Sequence, residues 1–153
     1  MRKRGKRFTT RRDPSAFLRT LVGVKPLEQD QQTDLSIAYR MSFESLRTGH
    51  GKETDFHTIA CSLNIALVLA ERGYGAEWVE QVKAAQVGLV RRMERGQRTG
   101  RWGLDGEAMT AMSDALSLHD EQIALATQRE IREAIAEVHR RVTIGEVFET
   151  ENA

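Results

Sequence analysis

The sequence predicts an all-α, single-domain bundle of five or six helices. Apolar residues recur at helical spacing along most of the 153-residue chain. No run alternates apolar and polar residues cleanly enough to predict a strand. The second half of the stretch 55–72 is apolar on nearly every side, and such a helix is stable in water only when other helices surround it. We therefore expect this stretch to be the central helix of the bundle.

Composition divides the chain into a flexible basic arm over 1–12, a helical domain over 13–145 and an acidic tail over 146–153. Hydrophobic residues make up 40% of the chain and charged residues 29%, as in soluble globular domains. No window approaches the roughly 18 apolar residues that span a membrane, and no apolar signal segment follows the basic start. The single cysteine, Cys61, is expected to be a buried thiol, so the cytoplasm is the simplest location.

Two helices are predicted before the central one. Asp13 and Pro14 form a favourable helix start, and the apolar face that follows consists of Phe17, Leu18, Leu21 and Val22. The second helix is expected to run from Leu27 or Asp30 to Thr48. Its inward side chains are predicted to be Leu35, Ile37, Ala38, Met41 and Leu46.

The central helix is expected to be capped by Thr54 and closed by Gly73. A short link then leads to a fourth helix over 76–98, which should form an antiparallel hairpin with the central helix. The inner side chains of the fourth helix are predicted to be Trp78, Val82, Ala85, Leu89 and Met93.

Asp105 is placed to cap a fifth helix, whose inward residues should be Met109, Met112, Ala115, Leu116 and Ile123. Thr127 and Glu130 match a capping box and separate this helix from a sixth one. Gly145 is expected to end the sixth helix. An apolar row suited to a partner helix follows steps of four and three residues through Ile131, Ile135, Val138 and Val142. The partner is expected within the same bundle, although this row also suits a homodimer.

The basic arm is the strongest functional signal. Residues 1–12 contain no acidic residue and seven basic ones: Arg2, Lys3, Arg4, Lys6, Arg7, Arg11 and Arg12. Without those seven, 16 of the 23 basic residues remain against 22 acidic ones, so residues 13–153 carry about −6. A basic arm on an acidic body suits contact with nucleic-acid phosphates; a solubility tail, or an arm drawn to an acidic protein, is the alternative.

A second basic run ends the fourth predicted helix. Arg91, Arg95 and Arg98 share a helix face, and Arg101 and Trp102 follow in the next loop. Together they could contact phosphates and stack on a base. Alternatively, the arginines are placed there because the dipole at a helix C-terminus stabilises positive charge, and the tryptophan fills an edge of the core.

Other chemistries have less support. A helix-turn-helix reader is disfavoured because Glu77 and Glu80 stand where donors to bases and phosphates are needed. Ser117, His119 and Asp120 lie too close along one helix to form a triad among themselves. The metal-ligand candidates are scattered and lack paired short spacings, namely His57, Cys61, His119, Asp120 and Glu121. Glu107, Asp114, Asp120, Glu121, Glu130 and Glu133 are expected to be solvated carboxylates. We expect no enzyme, no cofactor and no metal.

Four segments resemble a group of short bacterial proteins encoded in prophages and other mobile elements. They are Met1 to Arg4, NIALVLAERG over 64–73, TGRWGLDG over 99–106 and LHDEQIALAT over 118–127. Some members of this group are labelled Fis-type transcriptional regulators. The resemblance implies a mobile-element origin, and it assigns no role to any residue.

The sequence thus favours a non-enzymatic phage or mobile-element accessory protein that contacts nucleic acid through its arm, with transcriptional regulation as one form of that role. The alternative is a protein-binding inhibitor or adaptor, such as an anti-defence protein, that acts through an acidic helical surface.

Overall fold

The computed structural model describes residues 25–144 and is all-α in this range. The predicted helix over 13–23, the basic arm, Gly145 and the acidic tail lie outside the described residues. One isolated bridge joins Pro26 to Thr127. The helices are α1 (Gln29–Arg47), α2 (Glu53–Glu71), a 3-10 turn (Ala76–Trp78), α3 (Val79–Thr99), α4 (Gly106–Leu125) and α5 (Gln128–Thr143).

Helix α2 is the centre of the bundle, as the sequence predicts. It packs against α1, α3, α4 and α5, and the side chains of Phe56, Ile59 and Leu63 are fully buried. Gly73 follows the helix with a φ of 105°, a backbone conformation that favours glycine. The N-cap is Lys52 rather than Thr54, because the Lys52 N–H donates to the Asp55 carboxylate at 2.8 Å.

The start of α5 is also as predicted. The Thr127 hydroxyl accepts a hydrogen bond from the Glu130 N–H, and the Glu130 carboxylate accepts one from the Thr127 N–H at 2.8 Å. The same carboxylate accepts a hydrogen bond from the Tyr74 hydroxyl at 2.6 Å. Glu130 is therefore part of the contact between α5 and the end of α2, and its prediction as a solvated carboxylate is wrong.

Helix α1 presents a different face to the core from the one predicted. Leu35, Ile37, Ala38 and Met41 were predicted to point inward but are exposed, Met41 to 66%. Leu46 is buried as predicted, and Tyr39, which was not predicted, is buried as well. The cause is a polar contact with α4 that apolar spacing does not reveal. It consists of hydrogen bonds from Ser36, Tyr39 and Arg40 to Asp120.

Three further predictions of burial are wrong. Cys61 is exposed, because it lies on the outer side of α2, away from the fully buried side that carries Ile59 and Leu63. Trp78 lies in the 3-10 turn before α3 and is 42% exposed. In the predicted row on α5, only Ile131 is buried; Ile135 and Val142 are exposed, since α5 packs chiefly across the end of α2.

Within residues 25–144, no helix is long and apolar enough to cross a membrane. The main core cluster joins α1, α2, α3 and α4 around Phe56, Leu63, Leu89, Met112 and Leu116. A smaller cluster joins α5 to the C-terminal end of α2. The C-terminal half of α3 and the loop after it therefore lie at the opposite end of α2 from α5, next to the start of α2, where Gln97 donates to Glu53.

Candidate nucleic-acid interface

The basic arm, which carries Arg2, Lys3, Arg4, Lys6, Arg7, Arg11 and Arg12, lies outside the described residues. The second basic run is described in full. Arg91, Arg95, Arg98 and Arg101 are all exposed, on the C-terminal half of α3 and in the loop after it. We call these four residues the arginine surface.

Two adjoining grooves open on the arginine surface. The first, of about 530 Å³, is lined by Arg95, Arg101 and Trp102 and by Gly49 and Gly51 from the loop after α1. The second, of about 510 Å³, lies between α3 and α4. Besides arginines, its lining contains small or apolar residues, namely Ala84, Val87, Gly88, Ala108 and Ala111. Arg92, Arg95 and Asp105 line both grooves, so the two grooves adjoin and the arginine surface runs along them.

None of the four arginines has an ion pair within the part of the chain that the structure describes. Elsewhere on the bundle, arginines are paired with carboxylates: Arg40 with Asp120 at 2.5 Å, Arg72 with Glu133 at 3.3 Å and Arg141 with Glu71 at 2.6 Å. A guanidinium group without a carboxylate partner remains available to a phosphate, which it can bind through two parallel hydrogen bonds. The four residues of the arginine surface are therefore not neutralised by ion pairs of their own, although Asp105 lines both grooves and Glu107 lines the second.

Arg92 behaves differently from its neighbours. Its side chain is only 18% exposed and forms an ion pair with Asp105. The Asp105 carboxylate also accepts a hydrogen bond from the Ala108 N–H at 2.8 Å, which caps α4. Arg92 thus ties α3 to the start of α4, and it lines both grooves.

The helix dipole accounts for only part of this arginine cluster. The attraction of cations to a helix C-terminus is confined to about the last turn. Arg98 lies in the last turn of α3, but Arg91 lies roughly two turns before the end. The helix dipole therefore does not explain the positive charges of Arg91 and Arg95.

Trp102 packs into the edge of the core. Its ring centroid lies 5.5 Å from that of Phe56, with the two planes tilted by 58°. Gly96 on α3 allows this packing, because a Cβ atom at that position would lie 2.2 Å from the Trp102 ring. The ring is half-buried and still lines the first groove. Its primary role is structural, and stacking against a base stays a prediction.

The remaining chemical candidates form no common site. His119 is buried beside Tyr39 and contacts the Gln122 side chain at 3.3 Å, and burial lowers the pKa of its imidazole to about 4. Asp120, predicted to be solvated, holds α1 through Ser36, Tyr39 and Arg40. Among residues 25–144, no three histidine, cysteine, aspartate or glutamate side chains come together as a metal site. These long-range contacts carry no local sequence signal.

Comparison with known proteins finds no matching family model, no similar curated protein and no similar solved structure.

Proposed function

We propose that this protein is a nucleic-acid-binding accessory protein that contacts phosphates through its basic arm and its arginine surface. The observation that carries the proposal is the set of four exposed arginines, Arg91, Arg95, Arg98 and Arg101, which line two adjoining grooves without any carboxylate partner in the described chain. The seven basic residues of the arm add a second cationic region of the same chemistry.

Binding of this kind depends on phosphates and reads little sequence. Arginine contacts to phosphates release counterions, so affinity falls steeply as salt is added. The 3-10 turn before α3 and the first turn of α3 carry the exposed carboxylates of Glu77 and Glu80 rather than donors for base edges. The resemblance to mobile-element proteins supports a phage or mobile-element setting, and a role in transcription regulation is the more specific form of this proposal.

A mobility-shift assay with DNA and RNA of arbitrary sequence tests the proposal. The full-length protein should bind at low salt, and binding should weaken as salt is raised. Deletion of residues 2–12 should abolish the shift at moderate salt. In the same deletion variant, glutamine at the four positions of the arginine surface should weaken the binding that remains at low salt. Failure of the full-length protein to bind either nucleic acid at low salt would overturn the proposal.

One observation favours a second candidate, a protein-binding inhibitor or adaptor with an acidic helical surface. Trp78 is 42% exposed and lies between the exposed carboxylates of Glu77 and Glu80. Exposed tryptophans are frequent energetic centres of protein interfaces. This candidate predicts that a nuclease-treated pull-down recovers one discrete partner, and that Trp78→Ala abolishes the recovery. Equal recovery by the Trp78→Ala variant would contradict it.

A further inference from the structure

The first groove differs from the second in the side chains that line it. Both grooves carry arginines, but only the first also has an aromatic wall, which is Trp102. The volume of the first groove is about 530 Å³, within the range of about 300–1,000 Å³ that is typical of small-ligand sites. The first groove therefore places cationic and aromatic groups around a space that fits one small ligand or one part of a larger one.

The core of the bundle fixes the Trp102 ring in place. Phe56 lies against it, with 5.5 Å between the two ring centroids, and Gly96 leaves room on α3 for the ring to pack. Trp102 is nevertheless only half-buried, and it lines the groove. A side chain that is already ordered loses little conformational entropy when a ligand contacts it. Trp102 thus gives the first groove a rigid aromatic wall.

Hydrogen-bond donors without acceptors border this aromatic wall. Arg95 and Arg101 are exposed, and neither has an ion pair with a described residue, so both guanidinium groups are available to a phosphate. The main-chain N–H groups of Trp102, Gly103 and Leu104 likewise donate no hydrogen bond to any described residue. The loop after α3 therefore supplies both side-chain and main-chain donors.

The groove also leaves parts of the main chain open to a ligand. Gly49 and Gly100 have φ values of 79° and 70°, and no atom lies within 4 Å of the position that a Cβ would take at either residue. A backbone without side chains allows close approach of a ligand. Asp105 is the one carboxylate among the described lining residues, and it is already paired with Arg92. The groove is therefore suited to an anion that also carries a flat group.

A single strand of nucleic acid has both of these features, and a duplex does not. The phosphates of a single strand can bind guanidinium groups, and its unpaired bases can stack on an aromatic side chain. In a duplex each base is paired and stacked between its neighbours, so only phosphates and base edges remain accessible. An acidic peptide would match the arginines through its carboxylates but has no base to place on Trp102.

We propose that the first groove binds an unpaired nucleotide of single-stranded DNA or RNA, with its base on Trp102 and its phosphates on Arg95 and Arg101. The protein then prefers a single strand to a duplex, a preference that rests on the proposed function and specifies its ligand. Phosphate contacts alone favour the opposite order, because a duplex releases more counterions for each phosphate neutralised, about 0.9 against about 0.7. A preference for the single strand is therefore evidence of base contact.

Fluorescence anisotropy with the full-length protein tests this preference. Three labelled ligands of equal length are compared at one salt concentration: an oligothymidine strand, a blunt DNA duplex, and an abasic strand that keeps the sugars and phosphates but has no bases. The oligothymidine should bind about tenfold more tightly than the abasic strand, since one stacked base contributes at least this much, and also more tightly than the duplex. Oligouridine and an RNA duplex, measured in the same way, show whether RNA or DNA binds better.

A second measurement follows Trp102 itself. The chain has two tryptophans, so Trp78→Phe leaves Trp102 as the single source of tryptophan fluorescence. Oligothymidine should quench this fluorescence, and the duplex should not, because only an unpaired base stacks on the ring. Trp102→Leu keeps an apolar side chain at the edge of the core; it should weaken oligothymidine binding about tenfold and leave duplex binding unchanged. Circular dichroism checks that this variant keeps its helices, and the abasic strand decides the question without any variant.

The alternative results separate the inference from the proposed function. Equal binding of oligothymidine and the abasic strand, or tighter binding of the duplex, would overturn the base contact while leaving phosphate binding intact. Unquenched Trp102 fluorescence at saturating oligothymidine would do the same. Displacement of oligothymidine by polyglutamate at equal charge concentration would assign the groove to an acidic protein segment. Absence of binding to every nucleic acid at low salt would overturn both proposals together.

Discussion

The burial of His119 makes the stability of the bundle sensitive to mild acid. The imidazole is 3% exposed, and the groups that face it are the Tyr39 ring from α1 and Gln122 from its own helix. Burial lowers the pKa of His119 from 6.5 to about 4, against smaller opposing effects of the Gln122 hydrogen bond and the Asp120 charge. Between these two pH values the unfolded chain binds a proton that the folded chain excludes.

The direction and size of the effect follow from this difference. The contribution of His119 to stability is fully present above pH 6.5 and is lost as the pH falls towards 4. Between pH 7 and pH 5 the free energy of unfolding should fall by about 2 kcal/mol because of this residue. For a chain of this size, that loss lowers the Tm by about 4–8 °C.

Urea unfolding followed by circular dichroism at several pH values from 7 to 5 measures this loss. His119→Gln removes the titrating group, so the free energy of unfolding of that variant should be nearly constant over this range, whatever its absolute value. His139→Asn, a change at a histidine of α5 outside the core, is the control and should keep the wild-type pH dependence. An unchanged pH dependence in His119→Gln would refute the assignment of this acid sensitivity to the buried imidazole.

Two further predictions concern packing. Gly96→Ala places a methyl group against the Trp102 ring, so it should destabilise the bundle by about 1–3 kcal/mol and shift the tryptophan fluorescence. Gly88→Ala is the control, because its methyl group would lie 3.9 Å from the nearest side-chain atom, and equal stabilities of the two variants would contradict the prediction. Gln122 donates to the carbonyls of Ala66 and Tyr74 at 3.0 and 2.9 Å, so Gln122→Met should lower the free energy of unfolding in urea by about 1–3 kcal/mol, and a variant as stable as the wild type would show that these hydrogen bonds are dispensable.

The sequence was sufficient where local signals and the fold agree. The central helix is apolar on nearly all sides and is indeed surrounded, and Asp105 and Thr127 cap the helices that they were predicted to cap. The face of α1 was predicted wrongly because apolar spacing ignores polar contacts between helices. Asp120 lies 81 residues from Tyr39 along the chain, and nothing near either residue in the sequence indicates their pairing.

The candidate site could be predicted only in part. The arginine run is visible in the sequence, but the sequence does not show which arginines have carboxylate partners. Arg92 has one in Asp105, whereas Arg91 and Arg95 have none in the described chain. The packing of the Trp102 ring against Gly96 and Phe56 likewise arises only because the loop after α3 folds back onto that helix. Such contacts are set by the tertiary fold and not by residue spacing.

The salt dependence of nucleic-acid binding tests the central claim most directly. Fluorescence anisotropy with a labelled DNA duplex gives the slope of log affinity against log salt, whose magnitude is about 0.9 for each phosphate that the protein neutralises. Arg95→Gln should make the slope shallower by about 0.9, and glutamine at all four positions of the arginine surface should make it shallower by about 3.6. Arg132→Gln, at an exposed arginine of α5, should leave the slope unchanged. Identical slopes for the wild type and the fourfold variant would show that the arginine surface does not bind the nucleic acid.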